Sequence, residues 1–253
     1  MRMRKRPNLE PRMDQCAHLL INEPESLKSR WKAWAEESIG LKAECLYLEL
    51  GCGKGRFTVD EAGSVPRTLY IAIEKVADAM IIAMERARER QLENLRFISG
   101  DAAKLCEMFA PGEVDRIYIN FCDPWPKSRD AKFRLTYPGF LRSYCRILAP
   151  GGQLHFKTDN LPLFQWSQEQ LAKEGWELTE LTNDLHSKKV TIPMTDYEVK
   201  FAGEGIKINR LVAIKTAGTL DTSAPALERM RGAALTDARG YIESVRDNAE
   251  AKA

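Results

Sequence analysis

Leu46-Tyr47-Leu48-Glu49-Leu50-Gly51-Cys52-Gly53-Lys54-Gly55 decides the fold. An apolar run of strand length, broken only by Glu49, leads without a spacer into glycines at alternate positions. Glycine lets the chain turn sharply and lets a ligand approach the backbone, because no side chain intervenes. A strand ending in such a loop opens a βα unit, and in open α/β sheets ligands sit outside the strands' carboxyl ends. A dinucleotide loop more often reads G-x-G-x-x-G, with the pyrophosphate on a helix N-terminus. This loop is E-x-G-x-G-x-G, which disfavours an NAD-dependent oxidoreductase.

Glu49 would repel a diphosphate, yet it can accept hydrogen bonds from a cationic ligand or its amino group. That points to S-adenosylmethionine, which carries an amine and a sulfonium. Further along, the run Thr68 to Ile73 closes in Glu74, at the distance expected of a ribose-binding acid. The run Leu95 to Ser99 is followed by Gly100-Asp101-Ala102, where Asp101 can accept the exocyclic amine of adenine. The run Ile117 to Cys122 leads into Asp123-Pro124-Trp125-Pro126-Lys127, whose two prolines stiffen the corner and fix the direction of its charged side chains. One acid at a strand end is ordinarily a solvated charge. Glu49, Glu74, Asp101 and Asp123, closing four successive strands, form a pattern.

The chain's 253 residues, 44% hydrophobic and 29% charged, suit one globular α/β domain with appendages and a sizeable core. Its net charge is +2, with Arg2, Arg4, Lys5, Arg6 and Arg12 clustered at the N-terminus. No apolar h-region follows them and no run is long enough to span a membrane, so the expected location is cytoplasmic. The six cysteines include no C-x-x-C pair and no companion His spacing, which predicts reduced thiols and neither a disulfide framework nor a zinc site.

Helical periods alternate with the strands. Val76, Met80, Ala83, Met84 and Ala87 form one apolar stripe, and Tyr137, Phe140, Leu141, Tyr144 and Leu148 another. The second stripe stops at Pro150-Gly151-Gly152, ahead of a strand from Gln153 to Thr158. This alternation predicts βαβ units, a mostly parallel sheet and helices on both faces. Tyr197 to Phe201 and Asn209 to Lys215, separated by Ala202-Gly203-Glu204-Gly205, predict an antiparallel terminal hairpin. Leu27, Trp31 and Trp34 mark a short helix, and Leu227 to Val245 an amphipathic tail helix weakened by Gly232 and Gly240. The resulting division is a basic arm and short helix at 1–40, a catalytic domain at 41–215 and a helical tail at 216–253.

The glycine loop, Ile73-Glu74-Lys75, Gly100-Asp101-Ala102, Asp123-Pro124-Trp125-Pro126-Lys127, Lys157-Thr158-Asp159 and Thr195-Asp196-Tyr197-Glu198-Val199-Lys200-Phe201 together closely resemble the bacterial tRNA (guanine-N7-)-methyltransferases, from Leu46 to Lys215. The glycine loop is common to many methyltransferases, whereas D-P-W-P-K with T-x-Y-E-x-K-F is specific. The resemblance implies a Rossmann-like S-adenosylmethionine-dependent methyltransferase fold and transfer to guanosine N7 in tRNA, in the variable loop. It implies that Glu49, Gly51, Gly53, Glu74, Asp101 and Asp123 hold the donor, with Asp123 also catalytic. Lys127, Asp159, Thr195, Asp196, Tyr197 and Glu198 would hold the guanosine. No metal is implied, and monomer and homodimer both remain open.

Arg129, Lys132 and Arg134 lie beside this site and can neutralise RNA phosphates. Members of the family carry a denser basic run with a His there, where this chain has Asp130, Ala131 and Phe133. Two alternatives stay open at this level. One is a methyltransferase acting on another nucleic acid or a small molecule, and the other is a catalytically silent RNA-binding protein with the same donor fold.

Overall fold

The computed structural model describes residues 8–187 and 192–219. Arg2, Arg4, Lys5 and Arg6 and the expected tail helix lie outside the described residues. Within them the strands are β1 (Cys45–Leu50), β2 (Thr68–Glu74), β3 (Leu95–Ser99), β4 (Val114–Asn120), β5 (Leu148–Thr158), β6 (Glu177–Thr182) and β7 (Asn209–Ile214). The helices are α1 (Leu9–Gln15), α2 (Trp31–Ile39), α3 (Arg56–Ser64), α4 (Ala77–Glu89), α5 (Leu105–Met108), α6 (Pro138–Ile147), α7 (Leu161–Lys173) and α8 (Asp196–Gly203).

The strands form one sheet in the order β3-β2-β1-β4-β5-β7-β6. Four parallel pairings join β3, β2, β1, β4 and β5, and β7 runs antiparallel between β5 and β6. The chain steps outward from β1 to β3 and then returns to the other side of β1 as β4. This reversal opens a crevice at the β1/β4 strand ends.

Alternation along the strands feeds two cores. Leu69, Ile71 and Ile73 of β2 face α2, α5, α6 and α7, while Tyr70 and Ala72 face α3 and α4. Both faces are therefore covered, as the alternating periods predict. Gly55, at φ 76°, begins α3 directly against α4, where a Cβ would stand 2.4 Å from that of Ala83. The segment before β1 packs on the domain: Arg12 pairs with Glu85 at 2.7 Å, and the Ile21 N–H donates to the Phe97 carbonyl at 2.9 Å. Trp31 is fully buried, stacks on Phe109 and donates to the Met108 carbonyl at 3.0 Å. No helix among the described residues is long and apolar enough to cross a membrane.

The antiparallel end of the sheet differs in its parts from the expected hairpin. Tyr197 to Phe201 is helical, within α8, and the partners of β7 are β5 and β6. The alternating apolar residues mimic a strand, but Thr195 and Glu198 close a reciprocal capping box that starts a helix. The strand expected from Gln153 begins at Leu148, directly after α6. The chain passes through Pro150-Gly151-Gly152 with Gly151 at φ 75° and a register shift against β4.

Candidate active site

Asp101, Glu74, Glu49 and Asp123 belong to the ends of β3, β2, β1 and β4, four adjacent strands. At this edge opens a cavity of about 800 Å3 bounded by Gly51, Glu74, Asp101 and Asp123, with apolar surface from Ala102, Leu135 and Phe140. Glu74 ties the glycine loop to β2, accepting from the N–H of Gly53 and of Val76, each at 2.9 Å. Gly51 and Gly53 have φ of 77° and 56°, and no atom lies within 4 Å of where a Cβ would stand. The loop backbone is thus bare on that side. Asp101 accepts from the Ala103 N–H at 2.9 Å and pairs with Lys75 at 2.6 Å. Partial burial pushes its pKa up, but these two contacts outweigh it and hold the carboxyl below its usual range.

Glu49 is 1% exposed, unlike the other three acids. Its carboxylate accepts from the Thr58 hydroxyl at 2.6 Å, the Tyr70 hydroxyl at 3.3 Å and the Asn120 amide at 3.2 Å. Burial nevertheless raises its pKa to about 7, against these bonds and the charge of Lys157. Asn120 was not foreseen in the sequence. It stands two residues beyond Tyr118, the register partner of Glu49, so it falls on the same sheet face as Glu49. A polar residue inside the apolar run Ile117 to Cys122 was the available signal.

Asp123 is exposed and lines the large cavity. The loop that presents it is unusual. Phe121 and Trp125 have φ of 52° and 42°, a region that bulky residues avoid unless their surroundings enforce it. Arg134 supplies part of that enforcement. Its guanidinium donates to the carbonyls of Pro124 (3.1 Å) and Trp125 (2.9 and 3.2 Å) and lies 4.4 Å from the ring centroid of Trp166. The three cations expected to meet RNA are therefore unlike one another. Arg129 and Lys132 are exposed, with Asp130 3.9 Å from Arg129, while Arg134 faces inward as a brace. Lys127 is exposed at the start of the 3-10 turn Ser128–Phe133, and Asp159 is exposed just after β5. Neither lines the large cavity or its neighbour.

That neighbour, about 290 Å3, is bounded by Glu49, Gly53, Thr195, Asp196, Tyr197 and Lys200 and shares Gly51, Asn120 and Phe121 with the first. Thr195 and Glu198 are occupied in starting α8: the Thr195 hydroxyl accepts from the Glu198 N–H at 3.0 Å. Glu198, fully buried, also receives Lys157 at 2.7 Å, and His186 approaches it to 3.2 Å. Burial lowers the Lys157 pKa, although Glu198 opposes the change. Asp196 is bound to Arg86 at 2.8 Å, whereas Tyr197 is 64% exposed and rests on Phe201. Among the described residues no group of three or more His, Cys, Asp or Glu could hold a metal ion.

The crevice combines several carboxylates, a bare glycine backbone and an apolar wall. A polyphosphate would meet carboxylates on several sides. Fold and crevice define a Rossmann-like protein with an acid-lined ligand cavity at its strand ends. A family profile described as "Putative methyltransferase" matches residues 43–211, and the chain belongs to this methyltransferase family.

Solved structures with the same architecture include the 16S rRNA methyltransferase KamB, at TM-score 0.56 and 17% identity over 70% of this chain and 91% of that one. An antibiotic-related methyltransferase gives 0.54 and 18%, over 72% and 92%. The 16S rRNA (adenine(1408)-N(1))-methyltransferase of Catenulisporales acidiphilia, solved as a variant with the cosubstrate SAM, gives 0.53 and 17%, over 77% and 92%. At such identities the likeness is one of fold.

Proposed function

We propose that this chain transfers a methyl group from S-adenosylmethionine to N7 of a guanosine in tRNA. The observation that carries the reading is the exposed Asp123 carboxylate, held by a braced D-P-W-P-K loop where the large cavity meets solvent. The bound donor supplies an electrophilic methyl on a sulfonium. Glu49 and the Gly51 to Gly53 backbone hold its amino-acid end, Glu74 its ribose and Asp101 with Ala102 its adenine.

Guanine N7 has an in-plane lone pair, so no base must remove a proton before attack. What the protein must supply is alignment, worth about 7–11 kcal/mol of a barrier when reacting atoms are held in line. The second contribution is a fixed negative charge where positive charge arrives on the purine, which Asp123 provides. Asp123 also accepts from guanine N1–H or N2–H, a contact that adenine cannot make. Asp196 and Tyr197, which line the smaller cavity, flank the guanosine, Lys127 and Asp159 reach it from outside both cavities, and Thr195 and Glu198 act by fixing the start of α8. Arg129 and Lys132 meet phosphates.

The test is chemical mapping of N7-methylguanosine by borohydride and aniline cleavage, in tRNA from cells with and without this protein. Radiolabelled methyl transfer to purified tRNA, rRNA, DNA and protein accompanies it. Methyl transfer confined to rRNA, or to a position other than guanine N7, would overturn the proposal.

A further inference from the structure

We infer that Trp125 and Phe133 form a stacking platform for one unpaired nucleobase of the RNA substrate, and that this chain grips RNA beside its catalytic cavity through that platform as well as through phosphate contacts. The inference rests on the reading of the chain as an RNA methyltransferase and adds a specific contact to it.

Both rings line the large cavity, yet they are 38% and 49% exposed. Their centroids lie 5.2 Å apart with planes inclined at 49°, so they cover each other only in part and leave apolar faces open. Exposed aromatic rings next to a cavity lose water when a flat partner covers them, and a nucleobase has the matching π-face. The Lys132 ammonium lies 5.2 Å from the Phe133 centroid, and Lys127 and Arg129 are exposed on the same segment. Cations around an aromatic surface suit a ligand whose base is flat and whose backbone is anionic.

The backbone beneath Trp125 is also braced. Trp125 is held at φ 42° by the Arg134 bonds to its carbonyl, and Arg134 is fixed against Trp166. A braced backbone lowers the cost of ordering Trp125 under a base. With Arg134 turned inward, Lys127, Arg129 and Lys132 remain for phosphates. The aromatic pair then compensates for a thin basic segment.

The test measures binding of an unmodified tRNA transcript by fluorescence anisotropy without methyl donor, across a salt series, for the full chain. Phe133→Ala should weaken binding about five- to a hundredfold. Its slope of log affinity against log salt should stay that of the parent, and Phe133→Tyr should restore affinity. Lys132→Ala should instead flatten the slope by about one unit. Donor affinity by calorimetry should be the same in Phe133→Ala and the parent.

Unchanged tRNA affinity in Phe133→Ala overturns the inference, and so does failure of Tyr to rescue a variant that still melts cooperatively. A fall in donor affinity with tRNA affinity intact would assign the rings to the donor's adenine and equally overturn it. If the parent binds no tRNA transcript, a purine-rich single-stranded RNA is the probe, and indifference of both RNAs to Phe133 sinks the platform. Phe133-dependent RNA binding by a chain that methylates no RNA would leave the platform standing and remove the catalytic reading.

Discussion

Replacing Glu49 with Gln should change how folding stability depends on pH, in a direction the buried network fixes. The Glu49 carboxyl titrates near 4.5 in an unfolded chain and at about 7 in the fold, where burial opposes its charge. Between those values the folded protein carries a proton that the unfolded chain lacks, so stability falls as pH rises through the window. Above pH 7 the full cost is present, roughly 3 kcal/mol at about 1.4 kcal/mol per pH unit. His155 works in the opposite direction. Burial, with the charges of Arg116, Arg210 and Lys157, lowers its pKa to about 2, so stability falls as pH drops below the ordinary value of 6.5. Across pH 4.5 to 6.5 the two slopes oppose each other, and the parent protein should be nearly flat.

In Glu49→Gln the side-chain oxygen still accepts from Thr58 and Tyr70, and Asn120 can rotate its amide to present oxygen. The His155 slope should then emerge unopposed. Urea unfolding of both proteins at several pH values reads this out: near-equal stability at pH 4.5, and a variant more stable by roughly 3 kcal/mol at pH 8. A difference that stays constant with pH would refute the reasoning, because Glu49 would not be titrating in the window at all.

Asp123→Asn should lower the single-turnover methylation rate about a hundredfold or more while RNA affinity barely moves; an unchanged rate would remove its catalytic assignment. Arg134→Lys keeps the charge but cannot reproduce a planar fork on two carbonyls stacked against an indole, so the rate at saturating RNA should fall about tenfold with the salt slope intact. A slope reduced by about one, with the rate recovered, would make Arg134 a phosphate contact instead. Gly55→Ala should destabilise by about 2–5 kcal/mol in thermal or urea melts, from a left-handed backbone and a collision with Ala83 together. A stability loss below about 1 kcal/mol would mean that α3 and α4 can part without cost. Prolonged chelation should leave methyl transfer unchanged, and restoration of lost activity by one added metal would refute the expectation that no metal takes part.

The central sheet was legible because β1 to β4 are mostly buried and read as largely apolar runs, interrupted at Glu49, Arg96, Asp115 and Arg116, each with an acid at or just past its end. β6 was not, because Glu177–Thr182 sits at the sheet edge with mixed exposure and shows neither alternation nor a continuous apolar run. Tyr197 to Phe201 misled because a capping box of two polar side chains outweighs an apolar period of two over so short a stretch. The acids of the crevice could be found from spacing. Their supporting groups could not: Thr58, Tyr70 and Asn120 come from three separate elements, and their convergence on Glu49 depends on register and helix placement. Arg134 reads in sequence as one more cation in a basic segment, and only its bonds to Pro124 and Trp125 show that it faces the protein.

The order β3-β2-β1-β4 carries a consequence for how the crevice comes into being. Its four acids come from four successive strands and become neighbours only once β1 is flanked on both sides, so no single βα unit contains the site. The crevice is a non-local object that exists only once the parallel strands have paired, and such long-range pairing is intrinsically slow. Donor capture during refolding would therefore time the closure of the β1/β4 seam. Bound donor would in turn stabilise the entire sheet by mass action, since opening that seam separates Asp123 from the other three acids.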